Sequence, residues 1–304
     1  MTASKRQVLL VTHTGRSAAT ASATLLVKRL QAAGIEIVAP AEEAAELQLP
    51  GVTVWDELDV PAQREVELVI VLGGDGSILR GAEFARGAGT PLLGVNLGRV
   101  GFLAEAEEQD LEEVADRIGA RQYVVEERVA VEASVIVEDE VTHRAWALNE
   151  ISVEKSERQR MLEVGVEVDG RRLSRWGCDG LVCATPTGST AYAFSAGGPV
   201  VWPEVEALLL VPLSAHALFA RPLVVAPTSQ ISIELLAAGA HGVLWADNRR
   251  SVQLPTGARV NVCRSERPVR LARLHPTPFT ERLVAKFALP VHGWRGAARD
   301  DDAE

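Results

Sequence analysis

The chain has 304 residues, 47% hydrophobic and 24% charged, an ordinary globular composition with room for two cored domains, which excludes disorder as its general state. A formal charge of −10 argues against a general nucleic-acid binder, so any anionic ligand must be held by local arginines, lysines and amides. Cys178, Cys183 and Cys263 lack C-x-x-C spacing, which argues against a disulfide framework or zinc site and fits a reducing cytoplasm.

Met1 to Arg6 carries a basic pair, but the apolar run after it is too short for a signal peptide or a membrane span, and no later run is long enough either. Gln7 to Val11 reads as a buried strand. Ser17 or Thr20 can cap a helix carrying Leu25, Leu26 and Leu30 that Gly34 stops, and Ile35 to Ala39 is a second strand. Ala41 to Leu49 is a short helix ended by Pro50-Gly51, and the stretch to Arg64 has no clear period. Leu68 to Leu72 is a continuous apolar strand, Ser77 to Ala88 a helix, Pro91 to Val95 a strand and Asp110 to Ile118 a helix. Strands alternating with helices over residues 1–123 imply an α/β domain with a parallel sheet, whose ligands bind at the carboxyl ends of strands.

After Tyr123 the pattern changes. Val129 to Val137, Arg144 to Leu148, Met161 to Val168 and Gln230 to Leu236 alternate apolar and polar residues, and Asp169-Gly170 is a hairpin turn. Val243 to Ala246, Val252 to Leu254, Val260 to Cys263 and Val269 to Leu271 continue the alternation, which predicts an all-β sandwich over residues 124–274. Phe279 to Phe287 has helical spacing. Residues 275–304 are expected to return to the first domain and to end in a solvated acidic tail through Asp300-Asp301-Asp302.

Two stretches carry chemistry. The strand Leu68 to Leu72 runs into Gly73-Gly74-Asp75-Gly76-Ser77, where glycines let the backbone approach a bound group and the following helix start offers amides to phosphate. Asp75 is ill suited to holding an anion and well suited to taking a proton or facing a metal ion. An ordinary βα turn is the plain alternative. There is no P-loop, and Leu79 stands where a dinucleotide fingerprint has its third glycine. The loop resembles the GGDG loop of NAD kinases, phosphofructokinases, diacylglycerol kinases and sphingosine kinases, which implies phosphoryl transfer to a hydroxyl and a phosphofructokinase-like or Rossmann-like first domain.

The second stretch, Asp179-Gly180-Leu181-Val182-Cys183-Ala184-Thr185-Pro186-Thr187-Gly188-Ser189-Thr190-Ala191-Tyr192, leads an apolar strand into a cluster of hydroxyls. Thr187, Ser189 and Thr190 can cap a helix, but capping needs one hydroxyl. Small residues at Ala191 and Ala193 leave room for a flat base. With its continuation to Pro203, the stretch resembles the signature of NAD kinases, and Asn149-Glu150 matches that family's Asn-Glu/Asp pair. The wording looks most like actinobacterial members, some of which use inorganic polyphosphate as well as ATP.

The resemblance implies that Asp75 takes the proton of the adenosine ribose 2′-OH of NAD, with orientation of the ribose or metal as its competing role. Gly73, Gly74, Gly76 and Ser77 would meet phosphate, and Arg80 could reach the same anions or be a solvated helix-face charge. Asn149 would meet adenine and Glu150 both ribose hydroxyls. Thr187, Ser189, Thr190, Ala191, Tyr192 and Ser195 would form the nucleoside pocket, with Asp179 at the nicotinamide end and Asp247 nearby. Arg158, Arg160 and Arg249 are candidate anion contacts or surface charges. His216 and Met161 read as packed or interface residues. Mg²⁺ is expected on the donor phosphates, and homodimers or homotetramers through the β domain are expected, with no nucleic acid and no membrane. A lipid kinase sharing GGDG would lack the hydroxyl cluster and the Asn-Glu pair, and a non-catalytic NAD(P)-binding module would not need Asp75.

Overall fold

The computed structural model describes residues 6–12, 17–55, 66–98, 101–158, 160–236, 241–275 and 278–291, so the expected acidic tail lies outside the described residues. The chain divides into two compact units, Met1–Glu126 with Arg270–Glu304, and Glu127–Val269. In the first come β1 (Gln7–Thr12), α1 (Ser17–Ala32), β2 (Glu36–Pro40), α2 (Ala41–Leu47) and β3 (Val52–Trp55). Then follow β4 (Leu68–Leu72), α3 (Asp75–Ala85), β5 (Leu92–Asn96), β6 (Ala106–Glu107), α4 (Leu111–Gly119) and β7 (Val124–Arg128).

The second unit runs through β8 (Val131–Val137), β9 (Glu140–Ala147), β10 (Glu150–Lys155), β11 (Leu162–Val168), β12 (Arg171–Cys178) and β13 (Gly180–Ala184). A 3-10 turn (Thr187–Thr190) and α5 (Tyr192–Ser195) lead to β14 (Leu208–Leu213), β15 (Leu223–Val225) and β16 (Ile231–Leu235). β17 (Gly242–Ala246), β18 (Arg250–Leu254) and β19 (Arg259–Arg264) complete it, and β20 (Val269–Arg273) and α6 (Phe279–Phe287) lead back into the first unit.

The first sheet has the order β3-β2-β1-β4-β5-β20-β7, with β6 beside β5. β4 reads Leu-Val-Ile-Val-Leu and is buried throughout, because helices cover both faces of a parallel sheet. Leu68, Ile70 and Leu72 join α1 and α4 in one core through Leu26, Leu30, Val114 and Ile118. Val71 lies on the opposite face, against Gly81 of α3.

The second unit is a sandwich of two six-stranded sheets, β15-β14-β13-β10-β17-β18 and β12-β11-β16-β19-β8-β9, sharing a core that includes Ile151, Val164, Trp176, Leu181, Leu210, Ile233, Leu244 and Val260. Asp169 and Gly170, at φ 52° and 71°, form the turn that sets the β11–β12 register.

One strand changes place relative to the sequence expectation. Val269–Leu271 was expected in the sandwich, yet β20 runs parallel to β5, with Leu271 opposite Leu92, in the first sheet. Alternation cannot name a strand's partner. β3 and β7 also belong to this sheet, although Val52–Trp55 has no clear period and Val124 was assigned to the second domain. The three cysteines are free, and among the described residues no helix is long and apolar enough to cross a membrane.

Candidate active site

In the first sheet the order reverses at β1 and β4, so their carboxyl ends flank the crevice where ligands of such sheets bind. Gly73 and Gly74 leave β4 there, and Asp75 is the first residue of α3, with the amides of Ser77 (2.9 Å) and Ile78 (3.1 Å) turned back onto the Gly74 carbonyl. Gly74 and Gly76 are exposed, Asp75 and Ser77 half-buried and Gly73 buried. The Asp75 carboxylate accepts the amide of Phe102 at 3.2 Å on Oδ2 and that of Leu103 at 3.1 Å on Oδ1. A Cβ on Gly101 would stand 2.3 Å from Oδ1, so only glycine lets the carboxylate lie against this segment. Sequence reasoning missed Gly101, Phe102 and Leu103; a glycine inside an apolar run was the available signal.

Arg80, one turn along α3, pairs with the buried Glu43 of α2, and its guanidinium lies 5.9 Å from the Phe84 ring centroid. It is therefore more than a solvated helix-face charge. Thr12, ending β1 opposite Leu72, keeps its buried hydroxyl without a partner among the described residues.

In the second unit β10 runs antiparallel to both β13 and β17, which brings the start of β10 and the ends of the other two strands to one edge of the sheet. Asn149-Glu150, Thr185 to Tyr192 and Asp247 therefore gather there. Asp247 and Asn248, both at φ 52°, make the tight β17–β18 turn. The Asp247 carboxylate accepts the amides of Leu148 (2.9 Å), Asn149 (2.7 Å) and Glu150 (3.4 Å). At 4% exposure this group shapes the Asn149-Glu150 bend from inside, so its carboxylate is engaged with the backbone of the residues expected to meet NAD.

The hydroxyl cluster divides by direction. Thr185 donates to the Leu148 carbonyl at 2.6 Å and accepts the Gly188 amide at 3.0 Å, tying the two strand ends together. Ser189 is fully buried, donating to the Val201 carbonyl at 3.1 Å and accepting the Val201 amide at 2.9 Å, so its expected ligand role is replaced by a structural one. A Cβ on Gly188 would stand 2.0 Å from the Asn149 carbonyl oxygen. Thr187, Thr190, Ala191 and Tyr192 are half-buried and Ser195 is exposed. The Thr190 hydroxyl donates to the Thr187 carbonyl at 3.3 Å.

Glu150 is 5% exposed and accepts the Tyr192 amide, and its Oε2 has no hydrogen-bond partner among the described residues. Burial, and then the Asp247 carboxylate, push its carboxyl up to about 8. Burial likewise raises Asp247 and the Tyr192 phenol. Asp179 pairs with Lys155, whose hydrogen bond holds the Asp179 carboxyl below its ordinary value. Arg158, Arg160 and Arg249 are exposed. His216 and Met161, expected to be packed or at an interface, are exposed in the single chain; His216 engages through its main chain, its amide donating to the Gly177 carbonyl at 2.8 Å.

Residues 8–123 match the family model of the ATP-NAD kinase N-terminal domain and residues 148–274 that of the ATP-NAD kinase C-terminal domain. The chain is 59% identical to NAD kinase 2 of Streptomyces avermitilis over 96% of this chain and 97% of the relative. It is 57% identical to an NAD kinase of Thermobifida fusca over 98% of this chain and 94% of the relative. A yeast NADH kinase solved with NADH has the same fold, with a TM-score of 0.85 at 22% identity over 94% of this chain and 88% of that one. An NAD kinase from Archaeoglobus fulgidus solved with ATP gives 0.71 at 26% identity over 93% and 98% of the two chains. The chain belongs to the NAD kinase family of phosphotransferases.

Proposed function

We infer that the protein transfers the terminal phosphoryl group of ATP to the 2′-hydroxyl of the adenosine ribose of NAD, giving NADP and ADP. The observation that carries this reading is the Asp75 carboxylate, fixed by two main-chain amides at 3.2 and 3.1 Å where a central strand passes into a helix. Those bonds fix the orientation of the carboxylate, and each oxygen keeps a further lone pair for the ribose hydroxyl. Asp75 takes the hydroxyl proton as the 2′ oxygen bonds to the terminal phosphorus. The bond from that phosphorus to the ADP oxygen breaks, and its electrons leave on ADP. Such a transition state asks mainly for positioning and charge neutralisation. Gly74 and Gly76 offer main-chain amides to phosphate at the start of α3 and Ser77 its hydroxyl, because the Gly73 amide already donates to the Val95 carbonyl and the Ser77 amide to the Gly74 carbonyl, both at 2.9 Å.

In the acceptor pocket Asn149 meets the adenine edge, while Thr187, Thr190, Ala191, Tyr192 and Ser195 line the nucleoside and Asp179 faces the nicotinamide end. Glu150 is mostly protonated below about pH 8 and already holds the Tyr192 amide, so it offers a ribose hydroxyl its one free oxygen. Magnesium would be carried by the donor phosphates, neutralising their charge, since among the described residues no cluster of three or more acidic, His or Cys side chains could hold a metal ion. Inorganic polyphosphate serves as a second donor in this reading, because amides at a helix start read phosphate oxygens and ignore a base. Exposed Trp202, Val205, Leu218, Phe219 and Val224 support self-association through the β domain as a homodimer or homotetramer. Three free cysteines fit a reducing cytoplasm.

The test is to incubate the purified protein with Mg²⁺, NAD or NADH, and ATP or polyphosphate, and to assay the 2′-phosphorylated product. Asp75→Asn should keep NAD binding and lose about 10²–10⁴-fold in turnover. Near-normal turnover in that variant would refute the base assignment.

A further inference from the structure

We propose that Arg282, on the C-terminal helix α6, is a positioning residue for Asp75 and acts through the peptide group joining Phe102 to Leu103. In a trans peptide the C=O and N–H point in opposite directions. The carbonyl of this peptide accepts Arg282 Nη1 at 3.2 Å, and its N–H donates to Asp75 Oδ1 at 3.1 Å. A cation on the carbonyl oxygen polarises the amide and makes its N–H a stronger donor to the carboxylate.

The same nitrogen donates to the Ala104 carbonyl at 2.5 Å, so the guanidinium grips the segment on both sides of Leu103. Nη2 bonds Glu105 at 2.9 Å, and Glu105, with a side chain only 1% exposed, also pairs with Arg273 at 3.0 Å. Glu105 further accepts the amides of Leu274 and His275, both at 2.9 Å. The Phe102 ring lies 5.8 Å from Phe279 and 5.9 Å from Phe287, on the two ends of α6. With Gly101 pressed against Asp75 on one side and α6 clamped on the other, residues 101–105 act as a rigid spacer. A mere ion pair between Arg282 and Glu105 would need neither carbonyl contact.

The inference rests on Asp75 being the base, and the experiment separates the two. Arg282→Lys keeps a cation opposite Glu105 but loses the planar fork that spans carboxylate and carbonyls together. Arg282→Ala leaves Glu105 to Arg273 and enlarges a hollow of about 290 Å³ lined by Gly101, Ala104, Glu105 and Arg282, where free guanidinium can enter. In both folded variants kcat should fall about 10- to 100-fold with KM for NAD within about twofold, because misplacing a reacting group by ~1 Å costs rate rather than affinity. Millimolar guanidinium should restore much of the rate of Arg282→Ala and none of the loss in Asp75→Asn. If Arg282→Ala does not fold, the kcat and KM of Arg282→Lys decide. A kcat within twofold of the parent in Arg282→Lys, or a loss that guanidinium leaves untouched in folded Arg282→Ala, overturns the proposal. Near-normal turnover in Asp75→Asn overturns the base assignment instead.

Discussion

Glu150→Gln should make the protein more resistant to unfolding as the solution becomes alkaline. The Glu150 carboxyl moves from 4.5 to about 8 on folding, so the folded chain holds this proton more tightly than the unfolded chain does. Its contribution is therefore complete below about pH 4.5 and is lost as pH rises through about 8. At ~1.4 kcal/mol per pKa unit the full span corresponds to roughly 5 kcal/mol as an upper bound, and relaxation around the buried charge reduces what is realised. Glutamine keeps the shape and cannot ionise. The unfolding free energy of the variant minus that of the parent should thus climb by about 2 kcal/mol or more between pH 5 and 8, roughly 4–8 °C in relative Tm. Urea titrations at half-unit pH steps measure it. A difference that stays level or narrows across that range would refute the account of Glu150 as a buried, proton-holding acid.

Gly188→Ala should raise KM for NAD about tenfold or more and lower Tm, since the new Cβ would stand 2.0 Å from the Asn149 carbonyl oxygen and backbone must move to admit it. Steady-state kinetics with a thermal melt check both effects. Asp247→Asn should weaken NAD binding and speed hydrogen exchange at Leu148, Asn149 and Glu150, because one acceptor oxygen becomes a donor facing amide donors. The cost is about 1–3 kcal/mol in local stability. Unchanged exchange at those three amides would contradict the role assigned to Asp247.

What could be read from the sequence was what is local. Leu68 to Leu72 declares a buried strand by composition, Gly73 to Ser77 a close-approach turn, and Phe279 to Phe287 a helix whose bounds match its spacing. The Asn149-Glu150 pair and the hydroxyl cluster were also visible. Direction was not: the 3-10 turn sends Ser189 inward to Val201 while Thr187 and Thr190 stay half-exposed, and residue type alone cannot distinguish them. Nor could partners distant in sequence be found. Arg80 meets Glu43 across two helices, the amides holding Asp75 come from a loop after the next strand, and β20 pairs with a strand formed far earlier in the chain.

β20 lies between β5 and β7 in the first sheet, and it is made only after every strand of the sandwich. A nascent chain leaving the ribosome therefore carries an unfilled slot in its N-terminal sheet, with ladder groups of β5 open to stray pairing and Glu105 still lacking both arginines. A segment translated after the sandwich closes that gap and, in the same stroke, brings in the helix that steadies the loop beside the acid. Completion of the first sheet thus has to wait until the whole sandwich has been translated.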